Sequence, residues 1–226
     1  MTRVVIPLYE RFTALDVIGA YQPLALAPGI DVVLATERTG PVRDDCGTAA
    51  LMADSTLAEV EAADVLVVPG GPGTIQALAG PLPRWIGRIH ETTRWTTSVC
   101  SGSILLAAAG LLTGRRATSH YRAAQELTRF GAHPTDQRVV EEPAARIITA
   151  AGVSSGIDMA LRLVELLTDA TTAQAVQLWM EYDPQPPYDS GHPARVTAEV
   201  LARAAAYESA ARIAPPGPPG RPAQPR

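Results

Sequence analysis

Residues Asp64 to Pro69 read DVLVVP and run directly into Gly70, Gly71, Pro72, Gly73 and Thr74. A short, unbroken run of branched apolar residues marks a strand covered on both faces, and such strands belong to parallel sheets. The glycine-rich turn behind it is where a parallel strand hands the chain to a helix. Val4 to Ile6, Ile30 to Ala35 and Thr96 to Val99 repeat the short apolar or β-branched pattern. Helical stretches alternate with them, at Phe12–Ala27, Trp85–Thr92, Gly152–Leu167 and Thr171–Tyr182. Alternation of this kind predicts an α/β fold with a doubly wound, mostly parallel sheet and helices on both faces.

Finer expectations follow from local chemistry. Pro23 inside the first helix predicts a kink or an early break. The polar stretch Glu37–Thr48 predicts a hairpin or loop carrying Cys46. Ser55 and Thr56 are placed to cap a short helix through Glu61. Tyr121–Phe130 reads as helical, Arg138–Val140 and Arg146–Thr149 as a strand pair, and Ser154 or Ser155 as the cap of the helix at Gly152–Leu167. DPQPPYDSGHP, from Asp183, must be a loop, and Ala194–Ala211 a last helix. One domain over 1–213 is expected, with the Pro- and Gly-rich 214–226 as a disordered tail.

The stretch Thr96–Leu112, TTSVCSGSILLAAAGLL, carries the strongest chemical signal. A strand ends at Val99, Cys100, Ser101 and Gly102 make one tight turn, and an Ala- and Leu-rich helix follows. This is the nucleophile-elbow pattern with cysteine in place of serine. Gly102 permits the turn, and the helix N-terminus favours a thiolate. A lone cysteine in apolar surroundings reads equally as a small core residue. Asp16, near the start of the first helix, reads as a dipole complement or as a carboxyl at the end of the first strand, where ligands gather in open parallel sheets. The Gly70–Gly71 turn exposes N–H groups suited to an oxyanion pocket, without the lysine or spacing of a phosphate loop. Convergence of Asp16, Gly70, Gly71 and Cys100 in one crevice would supply a carboxyl, a thiol and backbone donors. His120, after the elbow helix, reads as a hydrogen-bonded structural residue or a catalytic one.

Composition narrows the classes. The 226 residues carry a net charge of −4, with 46% hydrophobic and 19% charged content, and every one of the 19 basic residues is arginine. The absence of lysine excludes lysine Schiff-base and P-loop chemistry. The mild negative charge gives no footprint for nucleic acid or an anionic membrane. Two cysteines, Cys46 and Cys100, and four scattered histidines make neither a disulfide framework nor a metal-ligand spacing. The chain begins MTRVVIPLY with no signal-like segment, so a cytoplasmic setting is expected.

VVPGGPGT, SVCSGSILLAAAGLLTGRRATSH and the early Leu15-Asp16 pair together resemble the ThiJ/PfpI superfamily, a flavodoxin-like relative of the class I glutamine amidotransferases. The resemblance covers about Arg3 to Pro193. It is strongest to the isonitrile hydratase branch, where the SVC-[ST]-GS elbow, the segment GVSSGIDMAL and the segment VQLWMEYDPQPPYDSG recur. It implies Cys100 as nucleophile, Asp16 as acid/base partner and Ser101 as an assisting hydroxyl where the branch carries threonine. Ala150-Ala151-Gly152 replaces a GGG-like element. The protease-like and glyoxalase-like members carry a histidine directly after the cysteine or a glutamate in place of the aspartate; neither stands here, which counts against peptidase or chaperone-type activity.

What the resemblance implies is hydration of an isocyanide to an N-substituted formamide, with no metal or organic cofactor. Cys100 would add to the terminal carbon, Asp16 would move the protons, and the N–H groups of Gly71 and Ser101 would hold developing charge. A small-molecule substrate and a homodimer are expected. Two alternatives stand beside it. One is a cofactor-free enzyme acting on another electrophile, and the other a ligand-sensing domain of the kind that precedes DNA-binding regions in transcription regulators. A single helix and the tail after Pro193 are too little for such a region.

Overall fold

The structure, a computed structural model, describes residues 1–213. It opens with β1 (Thr2–Pro7), α1 (Ala14–Leu26) and β2 (Ile30–Thr36). A hairpin follows, β3 (Gly40–Arg43) and β4 (Ala50–Ala53), then β5 (Ser55–Thr56) and β6 (Val65–Val68). Next come α2 (Thr74–Leu78), α3 (Leu82–His90), β7 (Trp95–Val99) and α4 (Gly102–Ala108). The second half holds β8 (Arg116–Ala117), β9 (His133–Pro134), β10 (Val139–Glu142), β11 (Ile147–Ala150), α5 (Ser155–Leu167), α6 (Ala170–Trp179) and α7 (Ala198–Ile213). The expected tail at 214–226 lies outside the described residues.

The main sheet has seven strands in the order β10-β11-β7-β6-β1-β2-β5. Every pairing is parallel except β10 with β11 at one edge. The strand order reverses at β1, with β2 on one side and β6 on the other. That arrangement is the flavodoxin-like order, whose ligand crevice lies at the carboxyl ends beside the reversal.

The period of two along each strand sorts its side chains onto the two faces. Val65 and Val67 of β6 join Val4, Ile6, the α1 residues Val17 and Leu24, and the α5 residues Leu163 and Val164 in one core. Leu66, Val68 and Val5 face the other way, onto Trp85, Ile86 and Ile89 of α3 and Leu105 and Leu106 of α4. This two-sided burial is why DVLVVP carries no polar residue between its ends.

Several local expectations give way to tertiary packing. Pro23 does not break α1; it is buried, and the helix runs to Leu26. Ser55 and Thr56 cap no helix. Thr56 and Glu59 make the reciprocal capping bonds, Thr56 N–H to Glu59 Oε2 at 2.7 Å and Glu59 N–H to Thr56 Oγ1 at 3.2 Å. The turn stops there, because Val60 is drawn into the core and Ser55–Thr56 pairs with β2. Neither Ser154 nor Ser155 caps α5 through its side chain. Tyr121–Phe130 forms only a 3₁₀ stretch from Ala124, and Asp169 caps α6 by accepting from Thr172 N–H. No described helix is long and apolar enough to cross a membrane.

Candidate active site

The elbow is built by a clash that only glycine avoids. A Cβ on Gly102 would sit 2.1 Å from the Val68 carbonyl oxygen, so the β7–α4 turn can press onto the end of β6 only with glycine there. The compression leaves Cys100 at φ 57°, the left-handed region that costs an L-residue about 1–2 kcal/mol. Surrounding bonds hold it there. Cys100 N–H donates to Ala150 O at 3.1 Å and Ala151 O at 2.9 Å, and its carbonyl accepts from the hydroxyls of Ser103 and Ser119 at 3.2 and 3.0 Å.

The Cys100 side chain is buried, and the backbone N–H groups of Ser101 and Val153 point at its sulfur. They favour the thiolate, but burial and the neighbouring Asp16 outweigh them and push the thiol well above its ordinary range. The resting sulfur is therefore a thiol at neutral pH.

Asp16, in the first turn of α1, is fully buried. Its Oδ2 accepts Gly70 N–H at 2.9 Å, and its Oδ1 has no conventional hydrogen-bond partner among the described residues. Burial raises its pKa to about 7, against the lowering effects of Gly70 N–H and the Cys100 thiol and with help from the charge on Asp45. Asp45 is held close by Thr13, whose hydroxyl donates to its carboxylate at 2.7 Å.

The structure thus brings Cys100, Asp16, Ser101, Gly70 and Gly71 together, but the backbone donors are distributed differently from expectation. The N–H groups of Gly70 and Gly71 do not line an open oxyanion pocket. Gly70 N–H goes to Asp16, and Gly71 N–H goes to Ser101 Oγ at 2.9 Å. Gly71 has φ 140°, and a Cβ there would lie 2.6 Å from Arg11 O, so this turn is wedged against the β1–α1 loop. The donors facing the sulfur are Ser101 and Val153, and Val153 carried no sequence signal. His120 packs at the rim: a Cβ on Gly152, one residue before Val153, would lie 2.7 Å from His120 Cδ2.

Two further residues, Tyr9 and Thr74, went unassigned in the sequence. Tyr9 OH donates to Pro69 O at 2.8 Å and lies 3.0 Å from Thr74 Oγ1, which lies 2.9 Å from Ser101 Oγ. Their signal was positional. Tyr9 stands just past the end of β1, and Thr74 opens the helix after the glycine turn. Elsewhere, Asp44, Asp45 and Cys46 on the hairpin loop bring metal-type donors within 4.8 Å of one another. Asp44 is already engaged by Ala49 N–H and Asp45 by Thr13, and the charge on Asp45 pushes the Cys46 thiol up.

A buried thiol on a strained elbow and a buried carboxyl, both at the carboxyl ends of a flavodoxin-like sheet, define a cysteine–carboxylate site. The match to the DJ-1/PfpI family spans residues 2–166, and the chain belongs to that family. Among curated relatives it is 39% identical to an isonitrile hydratase of Pseudomonas putida over 192 residues, covering 82% of this chain and 81% of the relative. It is also 30% identical to a glutathione-independent glyoxalase, DJR-1.2 of Caenorhabditis elegans, over 62% of this chain and 74% of that one. A crystal structure of a ThiJ/PfpI family protein from Pseudomonas syringae superposes with a TM-score of 0.84 at 33% identity, covering 93% of this chain and 89% of that one. These relatives support an enzyme acting on a small molecule.

Proposed function

We propose that the protein hydrates an isocyanide, R–N≡C, to the formamide R–NH–CHO. The observation that carries the reading is the pair itself: a buried thiol on the elbow beside a fully buried carboxyl, both pushed by burial toward their protonated forms, Asp16 to a pKa of about 7. A pair holding one proton between its members can move that proton in either direction near neutral pH. In the first step Asp16 takes the thiol proton as sulfur bonds to the terminal carbon, then gives it to that carbon. The S–H bond breaks, S–C and C–H bonds form, and a thioimidate, R–N=CH–S–Cys100, results.

Water then attacks the same carbon. One water proton passes by way of Asp16 to the nitrogen, giving R–NH–CH(OH)–S–Cys100. Collapse breaks the C–S bond, the hydroxyl proton returns to the pair, and R–NH–CHO leaves. The sum is one isocyanide plus one water, and no electrons are exchanged with any other group. The N–H groups of Ser101 and Val153 stabilise sulfur as it gains negative charge in both directions. The homodimer implied by the resemblance accompanies this reading, as does a cytoplasmic setting.

The 39% identity to an isonitrile hydratase over most of both chains, against 30% over a shorter stretch to the glyoxalase relative, supports this substrate class. The test is intact-protein and product mass spectrometry after incubation with a simple alkyl isocyanide. Formamide should form, with a transient adduct of one isocyanide mass on Cys100, and Cys100→Ala should abolish both. Formamide production by the alanine variant at the wild-type rate would sink the covalent route.

A further inference from the structure

Ser101 is one end of a chain of three hydroxyls that crosses the β1, β6 and β7 ends of the sheet. Tyr9 donates its single proton to the carbonyl of Pro69 at 2.8 Å. A carbonyl accepts only, so at the 3.0 Å contact between Tyr9 OH and Thr74 Oγ1 the donor is Thr74. That uses the one proton of Thr74. At the 2.9 Å contact between Thr74 Oγ1 and Ser101 Oγ the donor is therefore Ser101. Gly71 N–H occupies one lone pair of Ser101 Oγ at 2.9 Å. The other acceptor within reach of the Ser101 hydroxyl, Gly71 O, is farther away at 3.4 Å. Three contacts, three protons and one terminal carbonyl leave a single direction for the chain.

We infer that Tyr9 and Thr74 are positioning residues that hold the Ser101 hydroxyl as a hydrogen-bond acceptor next to Cys100. Ser101 then has no proton to give to substrate or sulfur and one lone pair to offer. Applied to the hydration scheme, on which this role rests, that lone pair receives one O–H of the attacking water while Asp16 takes the other proton. Ser101 orients the nucleophile of the second step and leaves the first step to Cys100 and Asp16. Burial above all, with the neighbouring Asp16 carboxyl adding to it, keeps the Tyr9 phenol protonated across any working pH, so the chain does not reverse. The arrangement also explains why serine can stand where the related branch has threonine: the hydroxyl is the part the chain uses.

Two measurements decide it. A neutron structure of the full chain after deuterium exchange should place the Ser101 deuteron toward Thr74 and the Thr74 deuteron toward Tyr9. A Thr74 deuteron aimed at Ser101, or a Ser101 deuteron aimed at Gly71 O, overturns the assignment whatever the substrate is. In kinetics with the alkyl isocyanide, Thr74→Val releases the Ser101 proton. It should lower kcat about tenfold, the worth of one neutral hydrogen bond, with KM little changed and the Cys100 adduct accumulating. Thr74→Ser should restore the wild-type rate, and Tyr9→Phe should fall between them. Unchanged kcat in Thr74→Val, or equal losses in the valine and serine variants, removes the positioning role. A wild-type protein that forms no formamide removes the hydratase reading instead, and the neutron map still decides the direction of the chain.

Discussion

Asp16 and Asp158 hold matching places in the fold. Each stands in the first turn of a helix that follows a strand of the parallel sheet, α1 behind β1 and α5 behind β11, and the two helices lie on the same face. The helix dipole favours an acid at both positions. Their company differs. Asp158 is partly exposed and fully engaged, its Oδ1 receiving Tyr182 OH at 2.7 Å and its Oδ2 pairing with Arg138. Asp16 is completely buried, with one backbone donor, an Oδ1 that has no conventional hydrogen-bond partner among the described residues, and a thiol beside it. Helix position explains why an aspartate is tolerated in each place. The number and kind of its partners decide whether it fastens the structure or exchanges a proton.

The largest test of that contrast is Asp16→Asn. Removing a positioned acid/base group should cost isocyanide turnover a factor of about 10² to 10⁴. Wild-type kcat/KM should rise with pH through about 7 as the second proton leaves the Asp16–Cys100 pair, and fall only well above pH 9 as the last one leaves. The variant should lose the acid limb. Stability should move the opposite way. A buried carboxyl titrating at about 7, against 3.8 when unperturbed, binds its proton more tightly folded than unfolded. Folding stability is therefore lost as pH rises from about 4 to 7, by an amount of order 4 kcal/mol for such a shift. Asp16→Asn should relieve that loss, so its Tm relative to wild type should be higher at pH 8 than at pH 4. Equal differences at the two pH values would mean that Asp16 is not a raised carboxyl.

How much of this was legible in the sequence follows from range. DVLVVP, the alternation of strands with helices, and the elbow around Cys100 are local patterns, and they gave the parallel sheet and the crevice. The pairing of Asp16 with Gly70 spans 54 residues, and that of Tyr9 with Thr74 spans 65. No local rule shows which backbone N–H a side chain will capture across such distances, so Gly70 and Gly71 read as open donors when they are occupied. Val153 was silent because it contributes through its backbone. Thr56 and Glu59 show the reverse failure: the capping bonds form as the residues suggest, but Val60 is buried and the helix never starts. The segments GVSSGIDMAL and VQLWMEYDPQPPYDSG, which carried the resemblance without a physical reason, acquire one. Tyr182 from the second bonds Asp158 from the first, fastening the late segment to α5 beside the loop that carries Val153.

Asp158→Asn sharpens the other side of the comparison. An amide in its place still accepts from Tyr182 but loses the ion pair with Arg138. With half of the Arg138 side chain and a third of that of Asp158 exposed, the pair is worth about 0–1 kcal/mol. Denaturant unfolding should show a loss of that size, and isocyanide turnover should keep the acid limb of the wild type. A variant that loses the limb would place Asp158 in the proton chemistry and erase the distinction.

The smallest effect belongs to Asp45, and it probes the contrast most finely because it lies outside the Cys100–Asp16 pair. Its charge is the smaller of the two causes that raise Asp16, subordinate to burial. Thr13 holds it by a bond that an amide oxygen can also accept. Asp45→Asn therefore removes a charge without removing the clasp on the β1–α1 loop. Losing a nearby negative charge eases ionisation of Asp16, so the acid limb of kcat/KM should move to lower pH while the plateau rate holds. Burial should keep the limb well above the ordinary carboxylate range. A limb that falls to that range would make the Asp45 charge the dominant cause, and the contrast with Asp158 would then rest on neighbouring charge more than on desolvation.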